Sequence, residues 1–265
     1  MKPFFTFYGG KYRAAPHYPT PIHDMIIEPF AGSAGYSVRY FDRKILLIEK
    51  DPKIAGLWKY LTKVSQREIM GIPLQISNTV DDMPICEEAK WLVGFWCNKG
   101  ASAPMKSPSK WMRGGTRPNS YWGAVTRARI AEQVTQIRHW RVVEGSYETA
   151  PNIRATWYID PPYAGAGNHY RMRINNYELL AEWCRTRRGQ VMVCENVGAT
   201  WLPFEPFRLI KSNPSCRGKS VSAEALYYDY RVDDVGAVTT DLGALAVANG
   251  KSSSPFENKR TWNGR

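Results

Sequence analysis

The alternation of strand and helix is clearest in residues 23–52, HDMIIEPFAGSAGYSVRYFDRKILLIEKDP. An apolar run that ends at Glu28 predicts a strand, the segment from Ser33 predicts a helix capped by that serine, and KILLIEK predicts a second buried strand. The helical pattern KIAGLWKYLTKV follows at residues 53–64. This order of elements is typical of an α/β protein with a parallel sheet.

The same alternation returns in the second half of the chain. Four runs rich in β-branched and aromatic residues predict strands. They are RVVEGSY (141–147), ATWYIDPP (155–162), GQVMVCEN (189–196) and EALYYDYRV (224–232). The pattern NNYELLAEWCRTRR (175–188) predicts a helix between the second and third of them. We therefore expect a mostly parallel sheet with helices on both faces.

Length and composition set the class of protein. The chain has 265 residues, of which 43% are hydrophobic, and this is enough for one large α/β domain with an inserted lobe. We expect a cytoplasmic protein outside the membrane, because no apolar run of about 18 residues is present and MKPFFTFYGGKYR turns polar too early for a signal peptide. The cysteines lack C-x-x-C spacing, which predicts reduced structural thiols and no metal site. They are Cys86, Cys97, Cys184, Cys194 and Cys216.

Positive charge is concentrated in one stretch of the chain. The formal net charge is +12. The segment from Lys99 to Arg141 contains nine Lys and Arg residues and one acidic residue, Glu132. The first half of this stretch is rich in Gly, Pro and Ser, and the stretch also holds Trp111, Tyr121, Trp122 and Trp140. Phosphates attract cations and bases stack on flat rings, so the composition indicates a nucleic-acid interface. A solvated loop before an ordinary amphipathic helix is the alternative interpretation.

Residues that follow the first two strands fit a nucleotide-like ligand. In an open α/β sheet, ligands bind beyond the carboxyl ends of the strands. The turn EPFAGSAG (28–35) offers Gly32 and Gly35, whose missing side chains let a ligand approach the backbone. Glu49 ends the second strand where a carboxylate could bind ribose hydroxyls, and Glu28 could face a cationic amine. S-adenosylmethionine, a nucleoside joined to an amino acid, would use all of these groups.

Five motifs carry a family resemblance. In chain order, FYGGKYR, EPFAGSAG, LLIEKDP, VVEGSY and YIDPPY resemble the Dam-like family of DNA adenine-N6 methyltransferases, and more narrowly its bacteriophage-type members, over residues 4 to 230. The segment VCENVGATWLPF is also similar to such members. The resemblance implies a Rossmann-like, S-adenosylmethionine-dependent methyltransferase sheet with an inserted, mostly helical, basic target-recognition lobe.

The family's motif order implies a domain organisation. Residues 1–62 and 141–231 would form the catalytic domain, with the cofactor half first and the DPPY half later. Residues 63–140 would form the inserted target-recognition lobe. Residues 232–265 lose both apolar periodicity and aromatic density, which predicts a disordered tail.

The resemblance also implies a cofactor site. Tyr8 and Lys11 would contact the methionine end of the cofactor, and Ser146 lies where many relatives place an aspartate near the adenine. The glycine pattern of FAGSAG departs from F-x-G-x-G by one position. The predicted cofactor-binding residues are Tyr8, Lys11, Glu28, Phe30, Gly32, Glu49, Ser146, Tyr147 and Asp160.

The tetrapeptide Asp160, Pro161, Pro162, Tyr163 would form the catalytic site. An exocyclic amine is a poor nucleophile, and acceptors on the Asp160 carboxylate and the Pro161 carbonyl would localise its lone pair. Proline fixes the backbone that carries both acceptors, and Tyr163 would stack on the base. The nucleotide must be flipped out of the duplex, and the segment AGAGNHYR (164–171) would close over it. His169 and Tyr170 in this segment could contact the flipped nucleotide. This chemistry needs no metal.

Double-stranded DNA is the expected partner, and a cognate restriction endonuclease fits the same family. We expect a monomer or a weak dimer in a bacterial or phage-infected cell. We expect Arg113 and Arg117, on the flexible loop, to contact base edges. We expect Arg127 and Arg138, on the predicted helix, to contact phosphates. The full predicted DNA-binding set is Lys110, Arg113, Arg117, Arg127, Arg129, Arg138 and Tyr170.

Three alternatives stay open at the level of sequence. Cytosine-N4 methylation uses the same acceptors on another exocyclic amine, and only the family resemblance favours adenine. Structured RNA would also suit a basic lobe. A catalytically silent DNA-binding module is disfavoured, since Asp160, Tyr163, Lys11 and Glu28 are all present.

Overall fold

The computed structural model describes residues 1–115, 120–164, 173–211 and 221–230. The chain divides into two units, Met1–Arg231 and Val232–Arg265, and all the described residues belong to the first. The predicted tail at 232–265 therefore lies outside the described residues. So do Arg117, His169, Tyr170 and all but the first residue of the predicted lid at 164–171.

A seven-stranded sheet is the centre of the described structure, with the strand order β3-β2-β1-β4-β5-β7-β6. Strands β1 to β5 pair in parallel, whereas β7 is antiparallel to both β5 and β6. This confirms the prediction of a mostly parallel α/β sheet, and the order of the first five strands is that of a Rossmann-like fold. The strands are β1 (Met25–Glu28), β2 (Lys44–Glu49), β3 (Arg141–Glu144), β4 (Ala155–Ile159), β5 (Gly189–Asn196), β6 (Glu205–Lys211) and β7 (Val221–Tyr230).

Most of the helices begin with local signals in the sequence. Asp51 caps α2 by accepting from the Lys53 amide, and Asn176 caps α7 in the same way. Ser65 and Glu68 form a capping box at α3. The helices are α1 (Gly35–Arg39), α2 (Pro52–Leu61), α3 (Gln66–Gly71), α4 (Glu87–Cys97), α5 (Lys110–Arg113), α6 (Ala124–Val134) and α7 (Tyr177–Arg185).

Each face of the sheet has its own core, because neighbouring residues of a strand point to opposite faces. On β1, Ile26 belongs to the core that α2, α4 and α6 cover, and Ile27 belongs to the core that α7 covers. Helices therefore pack on both faces, as the sequence predicts.

The described part of residues 63–140 consists of helices and loops that share the first of these cores. Phe5 packs on Phe95 of α4 with ring centroids 4.9 Å apart, and the Trp96 indole donates to the Phe4 carbonyl at 2.8 Å. Ile130 of α6 lies in the same buried cluster. The predicted lobe is therefore built onto the sheet and the N-terminal segment.

Two local predictions were wrong. The first helix is capped by Ala34, which has a left-handed φ of 49° and no side-chain cap, so Ser33 is not the cap. Strand β6 was not predicted from the sequence. Its second residue is Pro206, which breaks a strand pattern but is tolerated here because β6 is at the edge of the sheet.

Candidate functional site

A cleft of about 230 Å³ lies where β1, β2 and β4 end. All nine predicted cofactor-binding residues line it, together with Pro162 of the DPPY tetrapeptide. The carboxyl ends of neighbouring parallel strands meet at one edge of a sheet, which explains why motifs far apart in the chain converge here. The structure thus brings the predicted site together, and the binding of a cofactor there stays a prediction.

Glycines let the N-terminal segment lie directly on the turn after β1. A Cβ atom at Gly35 would stand 2.5 Å from the Tyr12 amide nitrogen and 2.8 Å from the Lys11 carbonyl carbon. A Cβ atom at Gly10 would stand 2.8 Å from the Ser33 hydroxyl oxygen. Because only glycine permits these approaches, FYGGKYR and EPFAGSAG pack as one unit, and Lys11 points into the cleft.

Lys11 and Asp160 form a buried ion pair. The Lys11 Nζ is 2.6 Å from Asp160 Oδ1 and 3.6 Å from Glu224 Oε1, with side-chain exposures of 10%, 20% and 1% for the three residues. Burial alone would lower the pKa of Lys11, but the carboxylates, Asp160 first, raise it above its ordinary value. Burial raises the pKa of Asp160, and the Lys11 ammonium partly offsets this. The ammonium is thus bonded to Asp160 in the structure, and the contact between Lys11 and the methionine end of a cofactor stays a prediction.

The Tyr163 side chain is tied to the same charges. Its hydroxyl donates to Glu224 Oε1 at 3.1 Å, and the Lys11 ammonium stands 4.7 Å from the centre of its ring. Tyr163 is half-buried beside the core and does not line the cleft, while Pro161 is buried. The predicted stacking of Tyr163 on a base stays a prediction.

Further hydrogen bonds fix the backbone around the tetrapeptide. The Tyr177 hydroxyl donates to the Pro162 carbonyl at 2.5 Å, and the Ala164 amide donates to Glu195 Oε2 at 3.0 Å. The Trp201 indole donates to the same oxygen at 3.1 Å. Glu195 and Trp201 lie within VCENVGATWLPF, so this segment supports the loop after β4. No role for either residue was predicted from the sequence.

Two carboxylates, the buried Glu28 and the half-buried Glu49, line the turns after β1 and β2. Glu49 accepts from the amides of Gly32 and Asp51, both at 2.9 Å, and burial raises its pKa. Each carboxylate oxygen keeps a second lone pair for a ligand hydroxyl. Glu28 accepts from the Ser37 amide at 2.6 Å, and burial raises its pKa to about 8. The two carboxylates therefore brace the turns and still face the cleft.

The opposite end of the cleft is aromatic and apolar. The rings of Phe30 and Tyr147 are 5.4 Å apart, and Leu179 adds an exposed apolar wall. Ser146 donates a hydrogen bond to Glu148, which also lines the cleft. Burial would raise the pKa of Glu148, but the Ser146 hydroxyl and the Tyr147 hydroxyl lower it. A carboxylate is thus present here, two residues after the position where the family resemblance expects one, and it was missed because it lies outside the motif.

Part of the basic stretch lies beside the cleft. Lys110 and Arg113 are exposed on α5, and the Lys110 ammonium is 5.1 Å from the ring of Trp111, which is 58% exposed. The Tyr8 amide donates to the Ala101 carbonyl at 3.1 Å, and Ser102 lines the cleft. The loop that leads to α5 and its exposed cations therefore starts beside the cleft.

Three of the predicted DNA-binding arginines, at the C-terminal end of this stretch, make hydrogen bonds within the fold. Arg127, Arg129 and Arg138 each donate to backbone carbonyl groups of other segments. The acceptors are Ile72 at 2.8 Å, Pro3 at 2.9 Å, and for Arg138 both Thr62 at 3.1 Å and Val64 at 2.6 Å. Their guanidinium groups tie α6 and the turn after it to the rest of the fold, and the contact of Arg127 and Arg138 with phosphates stays a prediction.

No protein-family model matches the chain, and no curated protein shows significant similarity to it. Among the described residues, no helix is long and apolar enough to cross a membrane. The same part of the chain contains no group of three or more His, Cys, Asp or Glu residues that could hold a metal ion. The four cysteines that it includes are free thiols.

Proposed function

We propose that this protein is a site-specific DNA methyltransferase that transfers a methyl group from S-adenosylmethionine to the N6 amine of a flipped-out adenine. One observation carries the proposal. A single cleft at the strand ends combines a carboxylate suited to ribose, Glu49, with a buried carboxylate on a proline-fixed backbone, Asp160. Ligand sites of open α/β sheets form at such strand ends.

The residues of the cleft fit the cofactor from end to end. Glu49 would accept the ribose hydroxyls, and Phe30 and Tyr147 would contact the adenine. Gly32 has a φ of 45°, a conformation that glycine adopts readily. Because glycine has no side chain, the turn is open where the ligand would approach. Glu28 would face the cationic end, where a positive charge would favour its ionised form. The cofactor supplies an electrophilic methyl group, so that binding and orientation are the main tasks left to the protein.

Asp160 would activate the amine. Its carboxylate already binds a nitrogen donor, because the Lys11 ammonium lies 2.6 Å away. An adenine amine at this position would donate to Asp160 and to the Pro161 carbonyl, and its lone pair would be directed toward the methyl group. The backbone around Asp160 is held by the Tyr177 and Glu195 hydrogen bonds, so the acceptors need no reorganisation during the reaction.

The substrate assignment rests on charge and position. The net charge of +12 favours a polyanion, and the exposed residues Lys110, Trp111 and Arg113 follow a loop that starts at the cleft mouth. Cations would bind phosphates, and an exposed ring would stack on a base. These features suit a nucleic acid whose reacting base enters the cleft.

The test is methyl transfer with a labelled cofactor. The full-length protein is incubated with methyl-labelled S-adenosylmethionine and unmodified genomic DNA, and the product is digested to nucleosides and also sequenced for modified positions. We expect label in N6-methyladenine at one short sequence. The Asp160→Ala variant is the control and should incorporate no label above background.

Each other result identifies an alternative. Label in N4-methylcytosine would replace adenine by cytosine as the target. Label in RNA but not in DNA, in a parallel incubation with structured RNA, would change the substrate. DNA binding without label in any nucleic acid would indicate a silent binding module and would overturn the proposed function.

A further inference from the structure

Glu224 is a buried carboxylate that no sequence motif pointed to. It lies on β7, opposite Asn196 of β5, and is 1% exposed. Its Oε1 accepts the Tyr163 hydrogen bond, whereas Oε2 is buried and makes no hydrogen bond of ordinary geometry within the described part of the chain, although the Tyr18 hydroxyl lies beside this carboxylate. Buried polar atoms are almost always bonded, so an unpartnered carboxylate oxygen calls for a physical reason.

The nearest cation is Lys11. Its Nζ is bonded to Asp160 at 2.6 Å and stands 3.6 Å from Glu224 Oε1, so a small displacement would bring it onto the second carboxylate. An ammonium has three donors and rotates freely about its flexible stem. In the structure Asp160 holds it, and this is the acceptor that a substrate amine would need.

We infer that Glu224 receives the Lys11 ammonium when the substrate amine takes its place on Asp160. This inference rests on the proposed function. Lys11 occupies the acceptor while no base is bound and keeps the buried carboxylate paired. When an amine enters, the ammonium moves the short distance to Glu224, whose Oε1 already lies 3.6 Å away. No covalent bond changes, and the proton stays on Lys11, so Glu224 is a positioning residue.

A purely structural role for Glu224 makes a different prediction. If Glu224 only holds the Tyr163 hydroxyl, its loss should disturb base binding whether or not Lys11 is present. If Glu224 receives the ammonium, its loss should weaken binding of the base only in proteins that contain Lys11. The two roles are therefore separated by comparing backgrounds with and without Lys11.

The experiment measures binding, so that inactive variants remain informative. Duplexes carry the methylation site with either adenine or purine, which lacks the amine, at the target position. Their dissociation constants are measured in the presence of S-adenosylhomocysteine. The dissociation constant of the purine duplex divided by that of the adenine duplex measures how much the amine strengthens binding. The variants are Glu224→Gln, Lys11→Met and the double variant. The matched control is Glu182→Gln, which makes the same change at an exposed carboxylate on α7.

We expect Glu224→Gln to lower the ratio at least fivefold, because the amide cannot neutralise the displaced ammonium. In the Lys11→Met background the same change should alter the ratio by less than twofold, and Glu182→Gln should leave it unchanged. An equal loss in both backgrounds, or a ratio within twofold of the wild type in Glu224→Gln, would overturn the inference while a methylating wild-type protein upheld the proposed function. A wild-type protein that methylates no adenine would overturn both.

Discussion

At the scale of single residues, Asp160 is the group on which the proposed chemistry depends. Asp160→Ala removes an acceptor that acts on the reacting amine, so we expect methylation to fall by about 10²-fold or more, with cofactor affinity changed by no more than several-fold. Turnover and calorimetry with the cofactor measure the two effects. Glu182→Ala, an exposed carboxylate on α7, is the control. Retention of more than roughly a tenth of wild-type turnover would contradict the mechanism.

Glu28 gives a residue-scale prediction that is independent of function. Burial raises its pKa from 4.5 to about 8, so the folded protein keeps a proton that the unfolded chain releases. The unfolded state then binds fewer protons between pH 4.5 and pH 8, and stability falls as the pH rises through this window. Glu28→Gln has no titrating carboxyl at this position, so its stability should not fall with pH for this reason. We expect the variant to gain roughly 1–3 kcal/mol relative to wild type between pH 5 and pH 8.5, measured by denaturant unfolding. Parallel pH profiles for the two proteins would refute the prediction.

At the scale of elements, the contact between FYGGKYR and the turn before α1 depends on Gly35. Gly35→Ala places a methyl group 2.5 Å from the Tyr12 amide nitrogen, and the N-terminal segment must move away. We expect a loss of roughly 1–3 kcal/mol in stability and weaker cofactor binding, since Lys11 would leave the cleft. Gly71→Ala in α3 is the matched control, because its added Cβ would meet no atom within 4 Å. Equal melting temperatures for the two variants would show that the segment is not packed this way.

Much of this element-scale structure could be predicted from the sequence, for a physical reason. The buried strands are marked by local apolar runs, and the strand ends collect ligand residues whatever the helices between them do. Glu224 and Glu195 could not be found in this way, because each acts on the DPPY loop through a tertiary contact that leaves no local pattern. The left-handed Ala34 was also missed, since alanine gives no signal for a positive φ. Its position is where the pattern F-x-G-x-G would place the second glycine, a residue that adopts a positive φ without strain.

At the scale of the whole molecule, the positive charge divides into two kinds of cation. The concentration of cations between Lys99 and Arg141 predicted one DNA interface, and within it Arg127, Arg129 and Arg138 are bonded to backbone carbonyls of the fold. Lys110 lies exposed beside Trp111, and the exposed Arg113 donates through Nε to the carbonyl of Pro108, just before its own helix, at 3.0 Å. Part of the net positive charge is therefore engaged in hydrogen bonds that hold segments of the fold together.

This division predicts opposite effects of two pairs of substitutions. Lys110→Ala and Arg113→Ala should each lower the slope of log affinity against log salt by about one unit, because a phosphate contact is lost, and should change stability by less than about 0.5 kcal/mol. Arg127→Ala and Arg138→Ala should leave the slope unchanged and cost about 1–3 kcal/mol of stability, because charged hydrogen bonds to buried carbonyls are lost. Titrations of DNA at several salt concentrations, with denaturant unfolding of each variant, separate the two outcomes. A reduced salt slope in Arg138→Ala with unchanged stability would return that arginine to the DNA interface, and an unchanged slope in both Lys110→Ala and Arg113→Ala would remove α5 from it.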